Sequence, residues 1–280
     1  MKLAIGNILL ISRPRFWLYL AGPFVIGYLC GTDEISAFIS PSFLMCLLYF
    51  LIPANIFLYG VNDLADEDTD VHNDKKKGYE LTLKNTEKRT LRVALWICVV
   101  CTFILAFATN SLTTFLILGL FLFLSFAYSQ RPFRWKALPI IDSASNVLYI
   151  LPGVLGFSIV TGSLPPWWVV ISGGLWTAAM HLFSAIPDIK ADKLANLRTT
   201  AVLLGEKKAL LLTVFLWLGS AVILITYFPN WWIFPVCIYF LLPFLCIFKM
   251  MTPIDLYRYF PFINAGLGFL LFWSIFFYRM

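Results

Sequence analysis

Charge is what this chain has least of. Only 13% of its 280 residues are Asp, Glu, Lys or Arg, and only two are His. An ordinary soluble domain carries about a quarter charged residues. With 60% hydrophobic residues and a mean hydropathy of +0.83, a solvated globular fold is excluded and an integral membrane protein is implied. Cysteine is sparse and unpatterned. Cys30, Cys46, Cys98, Cys101, Cys237 and Cys246 fall mostly inside apolar runs, and the Cys98-x-x-Cys101 spacing lies in an apolar helix without partner ligands, so core packing is expected rather than metal or redox chemistry. The alternating polar period of a barrel strand is missing, which leaves helices as the spanning element. A cleavable leader is not expected either. The apolar stretch Leu3–Ile11 is short, contains Asn7, and is followed by Arg13-Pro14-Arg15 instead of a small-residue cleavage site. No linker or low-complexity segment interrupts residues 1–280, so a single transmembrane domain is expected.

What the chain does have is long charge-free runs. A span takes about 20 apolar residues. Phe16–Thr32 and Ile35–Asn62 hold one span each, and Val93–Gln130 holds two around the polar turn Thr109-Asn110-Ser111. The run from Ser143 to Asp188 holds two, split at Thr161–Pro166. Ala209–Phe248 holds two, split at Pro229-Asn230, and Tyr259–Tyr278 holds the last. The expectation is an all-α bundle of about nine transmembrane helices, with Pro53 and Pro152 as kink positions and Gly153 with Gly156, and Gly266 with Gly268, as close-packing positions. On this layout, 20 of the 21 basic residues lie on one side and only Arg279 lies opposite. Positive residues mark the cytoplasmic face, which places the N-terminus there. The net charge of +6 is then inner-face bias and calls for no nucleic acid.

Against this background two acidic clusters stand out, each at the cytoplasmic end of an apolar run. The first reads Asn62-Asp63-Leu64-Ala65-Asp66-Glu67-Asp68-Thr69-Asp70 and the second Asp188-Ile189-Lys190-Ala191-Asp192. Charge runs are usually solvated loops. Here, at about 100° per helical residue, Asp63, Asp66 and Asp70 share one stripe, and Asp188 and Asp192 lie one turn apart, so the register is repeated at matching helix ends. Clustered carboxylates repel one another unless a cation lies between them. Mg²⁺ takes oxygen ligands and bridges to substrate phosphates, which points to chemistry on a phosphorylated lipid. Pro187 is expected to bend the chain before Asp188. The two clusters lie four spans apart, which hints at two related halves.

Other polar residues fit the same picture. Arg131, Arg134 and Lys136 follow Tyr128 and can bind phosphate oxygens. Asp142, Ser145 and Asn146 share a helix face and are candidates to line the cavity. Asn55 and His181 lie within spans, where a polar group needs a partner or a cavity.

These residues resemble the UbiA superfamily of intramembrane prenyltransferases. The resemblance rests on the N-D-x-x-D-x-x-x-D pattern from Asn62 to Asp70, the D-x-x-x-D from Asp188 to Asp192 and the nine-span layout, and it covers essentially the whole chain. The stretches Tyr128–Lys136, Asp142–Asn146, Leu151–Gly153, Phe183–Asp188 and Arg198–Ala201, with Leu204-Gly205, are similar to the lycopene elongase branch. That resemblance implies a helical bundle around a central cavity. It also implies Mg²⁺ held by Asp63, Asp66, Asp70, Asp188 and Asp192, and a prenyl diphosphate bound with help from Asn62, Arg15, Arg134, Lys136 and Asn146. The acceptor is lipophilic, a carotenoid such as lycopene. Within this mechanism Tyr128 stabilises the allyl cation through its ring and Asp142 removes the proton. The expected location is the inner membrane of a bacterial or archaeal cell, active face to the cytoplasm. Two other readings stand beside it: a quinone or other aromatic prenyltransferase, and a membrane transporter. Transporters usually place charges at mid-membrane, whereas these acids lie at its edge.

Overall fold

The computed structural model describes residues 5–65, 87–227 and 237–279. Among them every regular element is a helix. In chain order these are α1 (Ile5–Ile11), α2 (Leu18–Gly31), α3 (Pro41–Leu51), α4 (Pro53–Ala65), α5 (Lys88–Ala108), α6 (Leu112–Ser129), α7 (Ile141–Ala144), α8 (Leu151–Thr161), α9 (Trp167–Ala185), α10 (Ile189–Leu194), α11 (Thr200–Tyr227), α12 (Leu242–Ile247) and α13 (Pro253–Arg279). Among the described residues, seven stretches are long and apolar enough to cross a membrane: Pro41–Ala65, Lys88–Ala108, Leu112–Ser129, Ile141–Thr161, Trp167–Leu194, Thr200–Tyr227 and Pro253–Arg279. Leu18–Gly31 and Cys237–Ile247 are apolar but shorter. The expected turns at 109–111 and 161–166 fall where α5 gives way to α6 and α8 to α9. The Pro229-Asn230 split lies outside the described residues.

Local chemistry sets the breaks. Ser40 caps α3 by accepting from the Phe43 N–H, with Pro41 supplying the preset φ of the first turn. Ser111 caps α6 in the same way through the Thr114 N–H at 3.3 Å, after Asn110 turns through a left-handed φ of 45°. Pro53 ends α3 and starts α4, because its ring displaces the carbonyl it cannot bond. Asn55, fully buried, repairs the break: its Nδ2 donates to the Phe50 carbonyl at 2.6 Å and the Leu51 carbonyl at 3.1 Å. In lipid those carbonyls have no water to turn to. The expected kink at Pro152 takes a different form. A 3₁₀ stretch, Ser145–Ile150, becomes α-helical one residue before that proline.

The chain forms two compact units. One comprises residues 1–134 and 151–164, the other 135–150 and 165–280, and each carries one of the acidic clusters. In the first unit α2 and α8 meet backbone to backbone. A Cβ at Gly27 would overlap the Gly153 carbonyl, and one at Gly156 would overlap the Phe24 carbonyl and stand 2.8 Å from the Tyr28 nitrogen. The expected role of Gly153 and Gly156 holds. Among the described residues, a Cβ on Gly266 or Gly268 meets nothing within 4 Å. Cys98 is buried against Ile56, Leu91 and Leu95, so core packing holds for it too. In the second unit, Ser172 on α9 bonds the Ser220 carbonyl and hydroxyl on α11, both at 3.0 Å. Phe183, Trp217 and Phe260 form its aromatic core. α11 bends at Gly205, whose φ of 73° requires a residue without Cβ. Apolar side chains left exposed, such as Trp96, Phe107, Phe215 and Phe262, suit contact with lipid tails.

Candidate active site

The first cluster begins where α4 ends. Asn62 and Asp63 occupy its last turn, whereas Asp66 and Asp70 lie outside the described residues. Asn62 is fixed by a hydrogen bond from Ser129 Oγ to its Oδ1 at 3.0 Å, and Gln130 Nε2 donates to the Val61 carbonyl at 2.9 Å. These two bonds tie the end of α6 to the end of α4. Asp63 receives Arg13 Nη2 on its Oδ1 at 2.9 Å, in a pair whose side chains are 16% and 7% exposed. The guanidinium also lies over the Tyr59 ring, 4.7 Å from its centroid. An arginine so enclosed is held by charge and by the ring face together. Arg13 reaches this place because its backbone is left-handed (φ 51°, ψ 70°), turning the chain between α1 and the 3₁₀ turn Pro14–Phe16.

The sequence reading names Arg15, with Arg134 and Lys136, as diphosphate partners and leaves Arg13 among the inner-face basic residues. The structure places Arg15 on the surface, its guanidinium 4.4 Å from the Phe16 centroid, and Arg13 on the acid. Both flank Pro14, so composition alone does not separate them, and a left-handed arginine leaves no local signature. Tyr128 is half-buried at the end of α6. Arg134 closes the following turn through its own N–H to the Gln130 carbonyl at 2.8 Å.

In the second unit Lys136 is buried to 8% exposure within the 3₁₀ turn Trp135–Ala137. Asp188 ends a 3₁₀ turn that begins at Ile186 and contains Pro187, between α9 and α10. Asp192 follows one turn later on α10. Its carboxylate accepts from Thr199 Oγ1 at 3.2 Å and its carbonyl from the Leu197 N–H at 2.8 Å.

Asp142 is where the structure departs most from the expectation. Fully buried, its carboxylate accepts from the Thr200 N–H at 2.8 Å, from the Thr200 hydroxyl and from the Ser143 N–H at 2.7 Å. The enclosed carboxylate takes three donors and so anchors the start of α11. Asn146, expected at the substrate, is buried, and its Nδ2 donates to the Asp142 carbonyl at 2.6 Å. Both belong to a structural latch that a 58-residue separation from Thr200 hides in the sequence.

The donors fit a hard divalent cation in kind: the cluster residues offer amide and carboxylate oxygens, with no thiol or imidazole among them. Within either unit, the described residues contain no group of three Asp, Glu, His or Cys side chains placed to hold a metal.

Comparison with known proteins places this arrangement. A lycopene elongase/hydratase of Haloarcula japonica is 41% identical over 228 residues, covering 81% of this chain and 76% of its own length. One from Corynebacterium glutamicum is 35% identical over 228 residues, covering 80% and 77%. The fold is shared with a UbiA homologue of Archaeoglobus fulgidus solved with GPP and Mg²⁺ (TM-score 0.72, 23% identity, 96% of this chain and 99% of that one). Residues 20–259 match the description "UbiA prenyltransferase family". Because that region runs through both acidic helix ends and most of the described helices, the chain belongs to the UbiA prenyltransferase family.

Proposed function

We propose that this protein transfers a short prenyl group from an allylic diphosphate to the end of a carotenoid, with Mg²⁺ at the acidic helix ends and the site at the cytoplasmic edge of the membrane. The observation that carries the reading is the pair of acidic helix ends, each already furnished with an oriented polar partner: Arg13 on Asp63, Thr199 on Asp192. Likeness to two lycopene elongase/hydratases over four-fifths of the chain supports a carotenoid acceptor. The two shorter apolar helices, added to the seven long ones, bring the reading to nine spans with the N-terminus inside.

In this reading Asp63, Asp66, Asp70, Asp188 and Asp192 hold the metal, and Asn62 orients the headgroup. When bound, Mg²⁺ neutralises charge that develops on the leaving diphosphate. Arg13, Arg134 and Lys136 donate to the diphosphate oxygens as the carbon–oxygen bond breaks. The Tyr128 ring faces the allyl cation, and the apolar helix walls keep out water that would quench it. The acceptor double bond attacks the cation, and the new cation either loses a proton to the released diphosphate or adds water and then gives up that water's proton to it.

The test is direct. Membranes carrying the protein, given dimethylallyl diphosphate, lycopene and Mg²⁺, are expected to yield a carotenoid heavier by a five-carbon unit in mass spectra of extracted pigment. Excess EDTA is expected to stop it. Prenylation of an aromatic acid in place of lycopene would move the acceptor to the quinone-type alternative, and full turnover in EDTA would remove the metal.

Arg13 gives a sharper expectation. Arg13→Ala is expected to raise the KM for the diphosphate about 10–100-fold, the worth of one hydrogen bond to a charged group. Arg15→Ala, on the surface, is expected to change it by less than about threefold. Equal effects would show that the Asp63 pair does not set the diphosphate contact.

A further inference from the structure

Thr199 has one hydroxyl proton, and the structure decides where it goes. Its Oγ1 accepts from the Val202 N–H at 3.3 Å, the bond of a helix N-cap, so its proton is directed to its other neighbour, Asp192 Oδ2 at 3.2 Å. The same logic applies one residue on. Thr200 Oγ1 accepts from the Ile140 N–H at 2.6 Å, so its proton goes to Asp142 Oδ1, while Asp142 Oδ2 takes the Thr200 N–H. Both threonines are buried, at 6% and 4% exposure. The first turn of α11 is thus clamped from one side by Asp142 and reaches out on the other to Asp192. The Asp192 carbonyl is tied to the same segment by Leu197, after a left-handed Asn196 (φ 55°) ends α10.

We propose that Thr199 is a positioning residue for Asp192, and that Asp142 acts on Asp192 at second hand by fixing the Thr199-Thr200 turn. The proposal rests on the reading of Asp192 as a metal-holding acid. A short helix of six residues does not orient a carboxylate by itself, because the side chain keeps its rotamers. A hydroxyl donor held in a helix cap selects one rotation. Partners of this kind behind a metal-holding side chain are typically worth about 10–100-fold in metal affinity. The relay also gives a reason for a fully buried carboxylate at Asp142.

The experiment uses purified full-length protein in detergent, with Mn²⁺ and inorganic diphosphate as probes and free Mn²⁺ read by electron paramagnetic resonance. Thr199→Val is expected to weaken Mn²⁺ binding about tenfold and raise the Mg²⁺ needed for half-maximal turnover in step, with kcat at saturating Mg²⁺ changed far less. Thr199→Ser is expected to restore both. Should the valine variant fail to fold, Thr199→Gly removes the hydroxyl while keeping a tolerated N-cap residue and carries the same expectation. Asp142→Asn is expected to weaken Mn²⁺ binding in the same direction. Binding within twofold of the parent in a folded Thr199 variant, while Asp192→Ala weakens it, overturns the relay and leaves the metal reading standing. Unchanged binding in Asp192→Ala overturns the metal reading itself. Loss of thermal stability in Asp142→Asn with unchanged Mn²⁺ affinity removes Asp142 from the relay.

Discussion

Asp192→Ala is expected to abolish prenyl transfer, by about 10²–10³-fold or more, in a protein that still inserts and folds. The two halves of that expectation come from different parts of the structure. Asp192 lies half-exposed on a six-residue helix, where its carboxylate accepts from the neutral Thr199 hydroxyl. Losing such a bond costs about 1 kcal/mol of stability. The chemistry has no such margin. Ionisation of an allylic diphosphate leaves its negative charge on the departing group, and every preorganised counter-charge acts on the barrier. Asp63→Ala is expected to inactivate by a second route as well, since it also releases Arg13 from its place over Tyr59. Product per unit of membrane protein, read by mass spectrometry at matched expression, is the measurement. Turnover above about a tenth of the parent in Asp192→Ala would contradict the metal role given to the second cluster.

The chain's helices were legible because the membrane makes them so. Hydrocarbon demands long apolar runs, and the breaks between them carry ordinary cap and turn residues, as Ser40, Ser111 and Pro53 show. The acidic clusters were legible for the opposite reason: in a chain this poor in charge, carboxylates in helical register are conspicuous. Partner choice was hidden. Arg13 and Arg15 differ only in which side of Pro14 they occupy, and a left-handed backbone at Arg13 decides which meets Asp63. Asp142 reads as a reactive acid on a polar face until Thr200 is found beside it. Thr199 carried no signal of its own, because a threonine opening a helix is ordinary. What would have raised it is that two adjacent threonines begin a span seven and eight residues after an acid of the second cluster. Small residues marked some close contacts correctly and others wrongly. Gly156 faces a neighbouring backbone and Gly266 meets nothing within 4 Å among the described residues, and no periodicity distinguishes them.

That difference between glycines gives the second large expectation. In the interior of a helix, Gly→Ala ordinarily stabilises by about 0.5–1 kcal/mol, because glycine has more backbone freedom to lose. Gly119, within α6, has nothing among the described residues within 4 Å of an added Cβ, so Gly119→Ala is expected to follow that rule. Gly156→Ala is expected to reverse it. There the added carbon would overlap the Phe24 carbonyl and crowd the Tyr28 nitrogen at 2.8 Å, and both are backbone atoms of α2 that no rotamer change can move. The helices must therefore separate, and association in lipid depends on the close packing that separation destroys. Overpacking of a core costs about 1–3 kcal/mol when side chains can adjust, and more is expected where they cannot. Gly156→Val should yield no folded protein, and Gly156→Ala should unfold well below the parent. Thermal unfolding of purified protein in detergent, with Gly119→Ala alongside, reads both signs. A Gly156→Ala variant as stable as the parent would mean that α2 and α8 do not meet as described.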